Sequence, residues 1–118
     1  MQVDVELALM NAPANELKAI QDDLPSGFFV EDRSDRGWGL VIRTTQKLSD
    51  DFSDSIDAFL EPLSPLVKMI SNHVGILRVG VFYNTVTCTM RLNSCERLAE
   101  FGLPLEISTY PSSDDEDE

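Results

Sequence analysis

Basic residues are scarce in this chain. Lysine and arginine contribute 9 residues against 21 aspartates and glutamates, which gives a formal net charge of -12 at pH 7. The excess persists without the five carboxylates of the C-terminal DDEDE, since 16 acidic residues then face the same 9 basic ones. A field of this sign repels nucleic-acid phosphates and anionic membrane surfaces, and it speeds the encounter with a cationic protein surface. We therefore expect a basic protein as the partner, with no direct binding to nucleic acid or membrane.

Histidine and cysteine are also rare, which restricts catalysis. Any Ser–His or Cys–His pair must use His73, the only histidine, which lies near the end of a predicted helix where an imidazole interacts favourably with the helix dipole. Cys88 and Cys95 are too few for a disulfide framework or a metal cage of the usual spacing, so we expect reduced thiols. The sequence predicts no enzyme, no cofactor and no metal ion.

Long apolar runs are missing as well. No stretch approaches the roughly 18 apolar residues of a membrane span. The N-terminal MQVDVELALMNAP has neither the basic segment nor the unbroken apolar segment of a secretion signal. These features predict a cytoplasmic protein.

The first half of the chain alternates between the strand period and the helix period. Residues 2–10 alternate with a period of two and predict a strand, and residues 11–24 predict a helix capped by Asn11. A hairpin follows, with FFVE and WGLVIRT on either side of the polar loop DRSDRG. A second helix, capped by Ser49, then carries the apolar stripe of LSDDFSDSIDAFL.

Proline and glycine divide the second half of the chain. Pro62 should break the second helix, which restarts with Ser64 as its cap and Pro65 at its first position. ILRVGVFYNTVTCTMRL predicts a second hairpin, and NSCERLAEFG predicts a short helix that ends at Gly102. LPLEISTY predicts the last strand.

The element order βαββαββαβ predicts an α+β fold. We expect a two-layer sandwich with a largely antiparallel sheet and helices packed on one face. Residues 1–111 should form a single globular domain. The final SSDDEDE, residues 112–118, lacks the apolar side chains that offset the entropy of ordering, which predicts a disordered acidic tail.

Four carboxylates share one face of the predicted second helix, at spacings of four, three and four residues: Asp50, Asp54, Asp57 and Glu61. Such a row cannot wrap a metal ion, but it fits either a solvated surface or a docking strip for lysines and arginines. Further carboxylates elsewhere in the sequence favour the interpretation as a docking strip. The further predicted partner-binding residues are Asp22, Asp23, Glu31, Asp32 and Asp35.

Residues 87–110, TCTMRLNSCERLAEFGLPLEISTY, resemble the C-terminal signature of a small bacterial domain-of-unknown-function family. In that family a strand leads through a polar cap to LAxLG and then to a final strand. The matching residues are Asn93, Leu98, Ala99, Gly102, Leu105 and Ile107. Such families look like the small acidic immunity proteins that neutralise toxins in bacterial competition. The resemblance implies an immunity protein that binds a basic toxin such as a nuclease.

Two other functions remain open at this point. The chain could be a nucleic-acid-mimicking inhibitor, an anti-defence protein whose carboxylates imitate rows of phosphates. It could also be a thiol-dependent enzyme, because Cys95 falls in the first turn of the predicted third helix, where exposed N–H groups activate a thiol. The same position suits a half-buried structural thiol.

Overall fold

The computed structural model describes residues 2–10, 14–32, 39–48, 51–84, 92 and 96–111. These residues form a five-stranded sheet with three helical regions packed against it. The strands are β1 (Gln2–Met10), β2 (Phe28–Asp32), β3 (Leu40–Thr44), β4 (Val74–Tyr83) and β5 (Leu105–Pro111). The first helical region is α1 (Ala14–Asp22). The second is a continuous run of α2 (Phe52–Leu60), a 3₁₀ helix (Glu61–Leu66) and α3 (Val67–Ser71). The third is α4 (Glu96–Phe101).

The sheet is mixed, with the strand order β2-β3-β1-β4-β5. Three neighbouring pairs are antiparallel, and only β4 and β5 run parallel. A parallel pair needs a crossover connection, and α4 lies between β4 and β5 in the chain. The predicted α+β class with a largely antiparallel sheet is therefore confirmed.

One face of the sheet carries the hydrophobic core. Val5 and Leu7 on β1 are buried there, two residues apart, as the period of a strand requires. The helices pack on this face, and the fully buried Phe59 of α2 contacts Phe28 of β2 with 5.5 Å between the ring centroids. Residues of the opposite parity, such as Glu6, point to the second face of the sheet.

The predicted order βαββαββαβ is wrong in its second hairpin. That hairpin places residues 86–92 beside β4, but β4 pairs with β1 on one edge and with β5 on the other. Over residues 77–82 neither edge of β4 is left for a hairpin partner. The alternation along β4 correctly predicts a strand, but its neighbour on the outer side is a strand more than twenty residues further along the chain.

Pro62 ends the second helix as predicted, but the restart differs. The 3₁₀ helix contains both Pro62 and Pro65, and α3 begins only at Val67 with no side-chain cap. Ser64 therefore does not cap the restart. Its hydroxyl instead accepts a hydrogen bond of 3.0 Å from Nη1 of Arg97, which ties the 3₁₀ helix to α4.

The N-cap of α2 also differs from the predicted Ser49. Asp51 is the N-cap, and its Oδ2 accepts a 3.0 Å hydrogen bond from the backbone N–H of Asp54. The end of α4 agrees with the prediction. Gly102 follows the helix with φ of 66°, a left-handed conformation that favours glycine, and its N–H donates to the carbonyls of Leu98 and Ala99.

The first predicted hairpin is confirmed, since β2 and β3 pair antiparallel with Val30 opposite Ile42. Several other predictions concern residues outside the described ranges. They are the caps Asn11, Ser49 and Asn93, the loop at 33–38, the hairpin arm at 86–91, Cys88, Cys95 and the tail at 112–118.

Candidate functional site

Helix α2 presents carboxylates on the side that faces away from the core. Its apolar residues, such as Ile56 and Phe59, are buried against the sheet. Asp54 is exposed and Asp57 is half-buried, and Glu61, the first residue of the 3₁₀ helix that continues α2, is exposed. We call these three residues the acidic strip. Asp50, the fourth carboxylate of the predicted row, lies outside the described residues.

The acidic strip is only partly neutralised. Glu61 lies 3.7 Å from Nη2 of Arg97, and Nη1 of the same arginine donates to the hydroxyl of Ser64, which holds the guanidinium group in place. Within the described residues, the side chains of Asp54 and Asp57 have no cation within ion-pair distance. Two carboxylates of one helix face are thus available to a cation from outside.

The other predicted partner-binding residues do not join the acidic strip in a single surface. Asp22 and Asp23 are exposed at the end of α1. Glu31 points to the second face of the sheet, away from the helices, and forms an ion pair of 3.2 Å with Arg43. Asp32 is exposed at the end of the edge strand β2, and Asp35 lies outside the described residues.

The second face of the sheet holds a site that the sequence analysis did not predict. Three rows of side chains cross β1, β4 and β5 there: Gln2, Phe82 and Tyr110; Asp4, Gly80 and Ser108; Glu6, Arg78 and Glu106. The central position of this grid is Gly80, which has no side chain. A depression of about 280 Å³ therefore opens over it. We call it the Gly80 depression.

Two aromatic rings form one wall of the Gly80 depression. Phe82 and Tyr110 are directly opposite each other on the parallel strands, and their rings stack with centroids 4.9 Å apart and an interplanar angle of 19°. They remain 36% and 47% exposed. A Cβ built on Gly80 would lie 3.5 Å from each ring, in ordinary van der Waals contact.

An ionic row forms the opposite wall. Arg78 lies between two carboxylates, with its Nε 3.3 Å from Glu106 and its Nη1 3.9 Å from Glu6. Arg43 also lines the depression and is paired with Glu31. Both arginines of the depression thus already have carboxylate partners.

Asp4 differs from these paired groups. It lies directly opposite Gly80 on β1, lines the depression and is exposed. Among the described residues it has no ion-pair or hydrogen-bond partner for its carboxylate. The charge left unmatched in the Gly80 depression is therefore negative.

Local sequence signals predicted only part of this site. The alternation along β1 places Asp4 and Glu6 on a solvated face, as expected of an amphipathic strand. Phe82 and Tyr110 are 28 positions apart, and only the parallel pairing of β4 with β5 brings them together. A glycine within an apolar strand was the one available signal, since such a glycine often marks the close approach of another group.

His73 follows the end of α3, and its side chain is largely buried. Its Nε2 lies 3.6 Å from a carboxylate oxygen of Glu16, so the contact connects the end of α3 to α1. Its backbone N–H donates to the carbonyl of Ile70 in the last turn of that helix. The alternative thiol site at Cys95 lies outside the described residues.

Within the described ranges, no three histidine, cysteine, aspartate or glutamate side chains are grouped as ligands for a metal ion. None of the described helices is long and apolar enough to cross a membrane. Comparison with family models, curated proteins and solved structures finds no match to this chain.

Proposed function

We propose that this chain is a non-catalytic binding protein that engages a basic protein through the acidic strip on α2. The observation that carries the proposal is that Asp54 and Asp57, on the outward side of a helix in a chain of net charge -12, have no cation partner among the described residues. The core holds α2 in place, because Ile56 and Phe59 are buried beneath it. The carboxylates are therefore presented by a fixed element.

Exposed carboxylates of this kind affect mainly the association step of binding. Carboxylates at the rim of an interface attract a cationic surface before contact and raise the association rate constant, with less effect on dissociation. Salt screens the attraction over about 10 Å at 0.1 M ionic strength. Fast, salt-sensitive association is the behaviour that the proposal requires.

The finer proposal is that the protein acts in the cytoplasm as an immunity protein against a basic toxin such as a nuclease. Its support is the resemblance of residues 87–110 together with the charge. Of the matching residues, Leu98 and Leu105 are partly buried against the core and Gly102 ends α4. These are packing and capping positions, so the resemblance supports the toxin as the kind of partner, and the charge supports only its basic character.

The test requires the partner, captured from the source cell with the tagged chain and identified by mass spectrometry. Association kinetics are then measured over a series of NaCl concentrations for the triple variant Asp54→Asn, Asp57→Asn, Glu61→Gln. We expect association about two- to tenfold slower at low salt, a flatter salt dependence and a nearly unchanged dissociation rate. Deletion of residues 112–118 should have the same effect more weakly.

A matched control is the triple variant Asp22→Asn, Asp23→Asn, Asp32→Asn, which removes the same charge from α1 and β2. This control should associate faster than the α2 variant. Equal slowing by both variants would show that net charge, and not the acidic strip, governs the encounter. Normal association of the α2 variant, with binding abolished by the tail deletion, would place the recognition element at residues 112–118.

A further inference from the structure

We propose that the Gly80 depression is a second binding site, specific for an arginine side chain in an extended segment of a basic protein. In this site the guanidinium group stacks on Phe82, on the side of the ring that Tyr110 does not cover, and pairs with the carboxylate of Asp4. The depression lies on the face of the sheet opposite to the helices. It is therefore separate from the acidic strip and does not depend on the function proposed for that strip.

The size of the depression fits one side chain. Its volume is about 280 Å³, at the lower end of the range of roughly 300–1,000 Å³ typical of ligand pockets and sufficient for one long side chain. Gly80 forms its floor, and the small side chain of Ser108 lies next to it on β5. A single side chain can enter such a depression from a segment that lies across the sheet.

The charge of the depression selects a cation. Arg78 is already paired with Glu6 and Glu106, and Arg43 with Glu31. An incoming anion would have to compete with these carboxylates, and the field of the whole chain opposes it. Within the depression, Asp4 is a carboxylate that has no partner among the described residues, and a guanidinium group would provide one.

The aromatic wall selects arginine over lysine. Phe82 and Tyr110 are exposed, and a cation placed over such a ring is attracted by its quadrupole. The guanidinium group is planar, is more weakly hydrated than an ammonium group and binds a carboxylate with two parallel hydrogen bonds. It can therefore stack on a ring and pair with Asp4 at the same time.

The experiment is a titration of the full chain, labelled with ¹⁵N, with N-acetyl-arginine amide. We expect saturable chemical-shift changes at the amides of Gly80 and Ser108 and at the ring protons of Phe82 and Tyr110. Binding of a single side chain should be weak, with a Kd of about 1 mM or higher. N-acetyl-citrulline amide has nearly the same shape without the charge and should cause little change, and N-acetyl-lysine amide should bind more weakly than the arginine probe.

Variants locate the site. Asp4→Asn should weaken binding by about three- to fivefold, as expected of one exposed ion pair, whereas Glu100→Gln removes the same charge from the exposed surface of α4 and should leave the affinity unchanged. Gly80→Val fills the depression and should abolish the shifts at Ser108 and Tyr110. The melting temperature and the amide spectrum of each variant show whether it is folded, and Asp4→Asn decides the question if Gly80→Val is not.

Three results would overturn the site. They are absence of any saturable change with the arginine probe, equal binding of the citrulline probe, and equal weakening by Asp4→Asn and Glu100→Gln. Tighter binding of inorganic phosphate at the amides of β4 would instead show a site for anions. None of these results bears on the kinetics of the α2 variant, so the two proposals fail separately.

Discussion

At the residue scale, two glycines of the same strand have opposite surroundings. A Cβ built on Gly75 would lie 3.0 Å from the carbonyl oxygen of Ala8 and 3.0 Å from methyl carbons of Leu9 and Leu103. A Cβ on Gly80 would only touch aromatic rings at 3.5 Å. Gly75 therefore allows β1 and the segment before β5 to pack closely, whereas Gly80 leaves open space.

This difference predicts opposite effects of alanine. Gly75→Ala should lower the free energy of unfolding by about 1–3 kcal/mol, because three neighbours in the core must move. Gly80→Ala should be neutral or raise it by up to about 1 kcal/mol, since alanine loses less chain entropy than glycine on folding. Urea unfolding followed by circular dichroism measures both, and each variant is the control for the other. A Gly80→Ala loss as large as that of Gly75→Ala would contradict the open space over Gly80.

At the element scale, α2 depends on a cap that only the structure identified. Asp51 accepts the N–H of Asp54, and its carbonyl accepts the N–H and the hydroxyl of Ser55 at 3.0 and 2.7 Å. Glu61 and Asp57 lie at the other end of the helix, where carboxylates are unfavourable for the helix dipole. The cap at the first turn therefore contributes much of the local stability of α2.

Asp51→Ala should reduce the free energy of unfolding by about 1 kcal/mol, because the N–H of Asp54 loses its acceptor. Asp51→Ser retains a capping oxygen and should lose only a few tenths of that amount. The control is Asp54→Ala, which removes a carboxylate from the same turn without removing the cap. Thermal unfolding of the three variants ranks their stability. An Asp51→Ala variant as stable as the parent chain would contradict the role of this cap.

At the scale of the whole molecule, the net charge of -12 opposes folding through self-repulsion. Added salt screens this repulsion, so raising NaCl from 10 mM to 500 mM should raise the melting temperature by about 4 °C, equivalent to about 1 kcal/mol. The triple variant of the acidic strip carries less charge and should show a smaller rise. A melting temperature that falls with salt would mean that ion pairs such as Arg78 with Glu6 and Glu106 outweigh the repulsion.

Charge is also distributed unevenly over the molecule. Arg43 and Arg78 both lie on the second face of the sheet, each with carboxylate partners. The acidic strip on the helical side has one cation among the described residues, Arg97 at Glu61. The two faces therefore suit different contacts, and the composition alone could not distinguish them.

Properties that depend on neighbours within a few positions were readable in the chain. The alternation of β1, the helix stop at Gly102 and the break at Pro62 are set by side-chain period and backbone sterics, which act locally. The outward side of α2 follows from the helical period in the same way, and so does the placement of Asp54 and Asp57 on it. Net charge needs no fold at all.

Features that join distant segments could not be read in this way. An alternating strand such as β4 has the same local pattern whether a hairpin arm or a strand beyond a crossover pairs with it, and here the parallel strand β5 occupies that edge. The stacking of Phe82 on Tyr110, the empty position over Gly80 and the contact of Arg97 with Ser64 all follow from such long-range packing. Only the folded chain brings these groups within a few ångströms of each other, because the free energy that selects one strand pairing over another is shared among the whole core.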